Sequence, residues 1–126
     1  MSFKFLHTCY RVQDLDKSLE FYQDVLGFEI SRKRDFPEDK FTLVYLKVPG
    51  SDYELELTYN YDKEEPYTIG DGYGHIAIGV DDLEATHKEY SETGYEVTEL
   101  KALSNNSTSY FFIKDPDGYK VEVIQN

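Results

Sequence analysis

Several things are scarce in this sequence, and each shortage excludes something. One cysteine, Cys9, stands among 126 residues, so no disulfide can form within the chain, which fits a reducing cytoplasm. There is no tryptophan and a single methionine, so a core must be filled by aliphatics with the twelve tyrosines and eight phenylalanines. Cations are few: 13 Lys and Arg face 25 Asp and Glu, and the formal net charge of -12 opposes binding to nucleic acid or an anionic membrane surface. No apolar run approaches membrane-spanning length, and the opening Met1-Ser2-Phe3-Lys4-Phe5-Leu6-His7 lacks the apolar stretch of a signal peptide. A cytoplasmic protein that contacts neither membrane nor nucleic acid is expected. Low-complexity segments are absent and the acidic residues are dispersed, which argues against disorder.

What the sequence does have is a repeat. His7-Thr8-Cys9-Tyr10-Arg11-Val12 is followed by Asp14-Leu15, and later by Glu54-Leu55-Glu56-Leu57. His75-Ile76-Ala77-Ile78-Gly79-Val80 is followed by Asp82-Leu83, and later by Val121-Glu122-Val123-Ile124. His7 and His75 are 68 positions apart, as are Asp14 and Asp82, and Tyr22 and Tyr90, whereas Glu56 and Glu122 are 66 apart. Each half has about 60 residues, too few to be comfortably stable alone. A single domain over 1–126 is expected, with repeat one at about 3–61, a linker at about 62–72 and repeat two at about 73–126.

Each repeat reads as βαβββ. Residues 3–12 predict a strand, and Asp14 caps a helix whose apolar face is Leu15, Leu19, Tyr22 and Leu26, ended by Gly27. Strands follow at 28–34, 41–48 and 53–59, the last alternating Glu54 and Glu56 against Leu55 and Leu57. In the second half, a strand at 74–80 precedes a helix at 82–93 with Leu83 and Tyr90 inward. A strand at 95–100 then leads to a hairpin around the type I turn Asp115-Pro116-Asp117-Gly118. The fold class is α+β, two βαβββ repeats forming incomplete barrels.

The repeat places one histidine on each opening strand and one carboxylate on each closing strand. A histidine or glutamate on a strand is ordinarily a packing or surface residue, but all four here are repeat-equivalent. His7, Glu56, His75 and Glu122 therefore form a candidate set of metal ligands. Imidazole with carboxylate suits Zn, Ni, Co, Fe(II) or Mn, and four such ligands leave two octahedral positions open. The third histidine, His87, reads as a solvated helix residue, and Cys9 as a buried, inert thiol. Arg11 and Asn60 each lie four residues beyond a candidate ligand, where they could hold a substrate or merely face solvent.

The segments His7–Val12, Glu56-Leu57-Thr58-Tyr59-Asn60, Tyr73-Gly74-His75-Ile76-Ala77 and Asp115–Glu122 resemble those of the glyoxalase I (lactoylglutathione lyase) family of the vicinal oxygen chelate superfamily, over nearly the whole chain. The resemblance implies that His7, Glu56, His75 and Glu122 hold one divalent ion per site. Histidine at the first ligand position points to Ni(II) or Co(II), with Zn(II) as a further candidate. It also implies a homodimer with sites at its interface. The activity implied is conversion of the hemithioacetal of methylglyoxal and a low-molecular-weight thiol to an S-lactoyl thioester. Glu122 would be the prime base, Glu56 would serve the other face, and Arg11 and Asn60 would contact the glutathione part.

The chain departs from that pattern in two places. Leu103–Ser109 carries no cation, and Asp71 stands where some members place an arginine, so a thiol other than glutathione is a candidate. Within the superfamily, a thiol transferase or an acyl-CoA epimerase is the alternative, and outside enzymes a small-molecule-sequestering binding protein. A fourth ligand at Glu56 disfavours the first, the family's usual amide there disfavours the second, and a need for metal disfavours the last.

Overall fold

Alternation along the strands gives each sheet one apolar face and one open face. The computed structural model describes residues 2–102 and 109–126, in which the chain divides into two units, Met1–Tyr67 and Thr68–Asn126. In the first unit, β1 (His7–Val12) is followed by helix α1 (Leu15–Leu19), which continues as a π-helix over Glu20–Val25. Strands β2 (Glu29–Phe36), β3 (Phe41–Lys47) and β4 (Glu54–Asn60) complete it. The second unit contains β5 (His75–Val80), α2 (Leu83–Ser91), β6 (Lys101–Ala102), β7 (Ser109–Lys114) and β8 (Lys120–Gln125).

Both units have the same topology. The sheets run β1-β4-β3-β2 and β5-β8-β7-β6, each open at its edges, with the first and last strands of each repeat paired in parallel and the rest antiparallel. Asp14 and Asp82 cap the helices by accepting from the backbone N–H of Lys17 and Ala85, which satisfies donors that a helix start leaves open. Gly27 and Gly94 take φ of 81° and 89° just past the helices, the left-handed stop that glycine adopts without a Cβ penalty. In the first unit Tyr10, Val12, Val44, Leu46, Leu55 and Leu57 are buried with Phe21 and Tyr22 of the helix. In the second, Phe111, Ile113, Val121 and Val123 are buried with Leu83 and Tyr90 of α2. Among the described residues, no helix is long and apolar enough to cross a membrane.

Four local expectations need correction. The first strand begins at His7 and not Phe3, because the ladder to β4 starts at the His7–Glu54 pair; Phe3 and Phe5 are 91% and 86% exposed. The first helix buries Ser18, Phe21 and Tyr22, not an even stripe through Leu15, Leu19 and Leu26. Its π-helical turn, closed by Leu26 N–H donating to Phe21 O at 3.1 Å, advances the buried face. Residues 95–100 pair only through an isolated Val97–Ile113 bridge, and the strand proper is the short β6. His87 is half-buried: its Nε2 lies 2.9 Å from Thr98 O and its ring meets Phe111 edge-on at 4.9 Å.

Candidate metal centre

In each unit the open face of the sheet carries a histidine and a glutamate. β1 and β4 run parallel with Cys9 opposite Glu56, so His7, two residues before Cys9, points to the same side and reaches Glu56 diagonally. His7 Nε2 lies 3.2 Å from Glu56 Oε2. The second unit repeats this: Ala77 is opposite Glu122, and His75 Nε2 lies 3.3 Å from Glu122 Oε1. Two ligands at right angles on an ion with bonds of about 2.0–2.2 Å stand roughly 3 Å apart, so both contacts match the spacing of adjacent ligands. Both pairs are imidazole nitrogen with carboxylate oxygen, which suits a borderline divalent ion.

The surroundings of Glu56 are elaborate. Thr58 Oγ1 donates to Glu56 Oε1 at 2.7 Å, the Tyr45 hydroxyl donates to the same carboxylate, and the Cys9 thiol is also within hydrogen-bonding reach. Burial pushes the Glu56 carboxyl up, but these hydrogen bonds, together with the neighbouring His7, outweigh it and hold the group below its ordinary value. Conversely, burial raises both Cys9 and Tyr45, and the charge of Glu56 raises them further, which keeps both protonated as donors. Glu54, next to His7 in the register, is also held low, chiefly by a hydrogen bond from Ser31 and by Arg32 at 3.2 Å.

Cys9 is exposed, not buried as its residue type suggests. Its side chain faces the same way as His7, and its sulphur lies 3.3 Å from Thr58 Oγ1. Arg11 lies on the same face opposite Thr58, and Asn60 ends β4, where its Nδ2 donates to the Tyr67 hydroxyl at 3.0 Å. In the second unit, His75 borders a cavity of about 430 Å³ that is also lined by Asp71, Tyr73, Phe112 and Lys120. The cation-poor segment Leu103–Ser109 falls almost wholly outside the described residues.

The structure thus brings together His7 with Glu56, and His75 with Glu122. Among the described residues, no group of three or more His, Cys, Asp or Glu side chains is placed to hold an ion. Sequence reasoning misses Tyr45 and Thr58 as partners of Glu56. Thr58 carries a signal, since it stands two residues along the same strand; Tyr45 carries none, since only the β3–β4 register places it there.

Residues 4–123 match the family described as the Glyoxalase/Bleomycin resistance protein/Dioxygenase superfamily. The lactoylglutathione lyase of Haemophilus influenzae is 48% identical over 124 residues, covering 96% of this chain and 91% of the relative. Among solved structures, the trypanothione-dependent glyoxalase I of Leishmania major superposes with a TM-score of 0.83 at 40% identity, over 98% of this chain and 87% of that one. Glyoxalase I from Zea mays gives a TM-score of 0.89 at 38% identity over 98% of this chain, which spans only 44% of the maize chain.

Proposed function

The chain belongs to the Glyoxalase/Bleomycin resistance protein/Dioxygenase superfamily, and from that premise we propose that it is a lactoylglutathione lyase, a carbon-sulfur lyase that detoxifies methylglyoxal in the cytoplasm. Its reaction is the metal-dependent isomerisation of the hemithioacetal of methylglyoxal and a low-molecular-weight thiol to an S-lactoyl thioester. The observation that carries this reading is the pair of His–Glu contacts, 3.2 and 3.3 Å, at repeat-equivalent positions. Relatives that align over nine-tenths of their length and carry the name lactoylglutathione lyase support it.

His7, Glu56, His75 and Glu122 are the residues that would hold the ion, with Ni(II) or Co(II) favoured over Zn(II). An ion held there would supply electrostatic stabilisation for the negative charge that develops on the substrate as its carbon-bound proton leaves. Glu122 takes the proton from the carbon bearing the sulphur and returns it to the adjacent carbonyl carbon, while the double bond shifts from one carbon–oxygen pair to the other and the hydroxyl proton passes from the first oxygen to the second. Substrate and product are isomers, so no external oxidant or reductant is needed. Glu56 is the second carboxylate of the site. Arg11 and Asn60 would contact the thiol portion. Among the described residues each unit brings two of these ligands together, so a second half-site would complete the set; a homodimer with its sites at the interface, the first unit of one chain meeting the second of its partner, is the arrangement we propose.

The test is turnover of methylglyoxal hemithioacetals by metal-loaded protein, with glutathione and other cellular thiols compared side by side. Formation of S-lactoyl thioester with at least one thiol is expected. No turnover with any of them, with the ion verified in place, would overturn the assignment.

A further inference from the structure

The open face of the first sheet carries a charge balance opposite to that of the chain. Register places Cys9, Glu56, Tyr45 and Arg32 side by side in one row across the strands, and Arg11, Thr58, Leu43 and Arg34 in the next. Residues paired in register project to the same side, so these two rows gather three arginines and one carboxylate on one face. The whole chain has 25 acidic residues against 13 basic ones. Arg32 is occupied: its guanidinium covers the Tyr45 ring at 3.8 Å and lies 3.2 Å from Glu54. Arg34 is exposed and lies over the Phe36 ring at 5.1 Å, and among the described residues no carboxylate comes within ion-pairing distance of it.

Arg11 and Arg34 stand at opposite edges, since β1 and β2 are the outer strands of this sheet. Three strand spacings separate them, roughly 14 Å, with Glu56 between them and one row away. The surface between Glu56 and Arg34 is apolar. Leu43 neighbours Arg34 in the register, and Phe36 stacks on Phe41 at 4.7 Å in the row beyond. The positive charge of Arg34, like that of Arg32, is felt at the Tyr45 hydroxyl, which hydrogen-bonds Glu56. Arg34 therefore acts on the surroundings of a candidate ligand.

A hemithioacetal has two arms. One carbon bears the thiol, and the carbonyl carbon bears whatever chain the aldehyde brought. With the thiol portion toward Arg11 and the reacting carbons at Glu56, the second arm runs toward Arg34. In methylglyoxal that arm is a methyl group, which meets only the apolar surface. We propose that Arg34 is a specificity-determining residue, and that the site accepts α-oxoaldehydes whose chain ends in a carboxylate or phosphate, held by the Arg34 guanidinium. The planar fork of arginine suits both anions. This extends the substrate class beyond methylglyoxal and rests on the function proposed above.

The probes are the hemithioacetals of γ,δ-dioxovalerate, which ends in a carboxylate, and of its uncharged methyl ester, with methylglyoxal as reference. The readout is the ratio of kcat/KM for the acid to that for the ester, which cancels any general loss caused by a substitution. Wild type should favour the acid by about fivefold, the scale of an exposed ion pair, and added salt should shrink the preference. Arg34→Met should abolish it, because the net charge of -12 otherwise works against an anion. Arg34→Lys should keep part of the preference, and Arg34→Glu should invert it. A ratio near one in wild type, or one that Arg34→Met and Arg34→Glu both leave intact, would overturn the proposal while turnover of methylglyoxal left the function standing. Failure to turn over any hemithioacetal, with the ion verified in place, would defeat that function and this proposal with it.

Discussion

Glu122→Gln should lose kcat by ~10²–10⁴-fold while still binding metal, because the amide keeps an oxygen for coordination but cannot accept a proton. Glu122 is the side chain on which the two roles separate most cleanly. Its carboxylate touches His75 Nε2 at 3.3 Å, and its strand neighbours Val121 and Val123 are fully buried, which fixes the backbone from which it projects. The substitution therefore changes chemistry at one atom and little else. Metal content by elemental analysis, measured beside the rate, checks it. If activity and ion disappear together, Glu122 acts mainly as a ligand; if neither changes, another group is the base.

A mixture of two dead proteins should regain activity. His7→Ala removes a ligand from the first unit and His75→Ala from the second, and each homodimer then has two damaged sites. In a heterodimer whose sites pair the first unit of one chain with the second of the other, both damaged units fall in one site and the second site is intact. A purified heterodimer should show about half of wild-type activity, and a random mixture about a quarter. The gain is from nothing to a readily measured rate, so the outcome is unambiguous. Differently tagged chains, refolded together and separated, supply the material. A heterodimer as inactive as its parents would contradict sites that pair the first unit of one chain with the second of the other.

The metal candidates are legible in the sequence because the repeat is nearly in register: a drift of two residues over 66–68 positions leaves His7 aligned with His75 and Glu56 with Glu122. Strict alternation in Glu54-Leu55-Glu56-Leu57 by itself puts both carboxylates opposite the core, and the sheet bears this out with Leu55 and Leu57 buried. The neighbours of Glu56 are harder to see. Tyr45 lies eleven positions away on another strand, and only the antiparallel register brings it opposite. Cys9 reads as buried because free cysteines usually are, although its parity with His7 places it on the open face. His87 reads as solvated for a related reason: α2 presents it to Thr98 and Phe111, contacts that helical periodicity cannot reveal. The π-helical turn at Glu20–Val25 leaves no periodic signature, since it breaks the period it would be read from.

The most direct test of the central claim, that the two His–Glu pairs jointly hold one catalytic ion, is titration of the metal-free protein with Co(II) or Ni(II), with bound ion and hemithioacetal turnover recorded at each addition. Metal-free wild type should be inactive, should take up one ion per site, and should regain turnover in proportion, whereas His7→Ala and His75→Ala should each lose tight binding. Full turnover without metal, or undiminished binding in both variants, would contradict it.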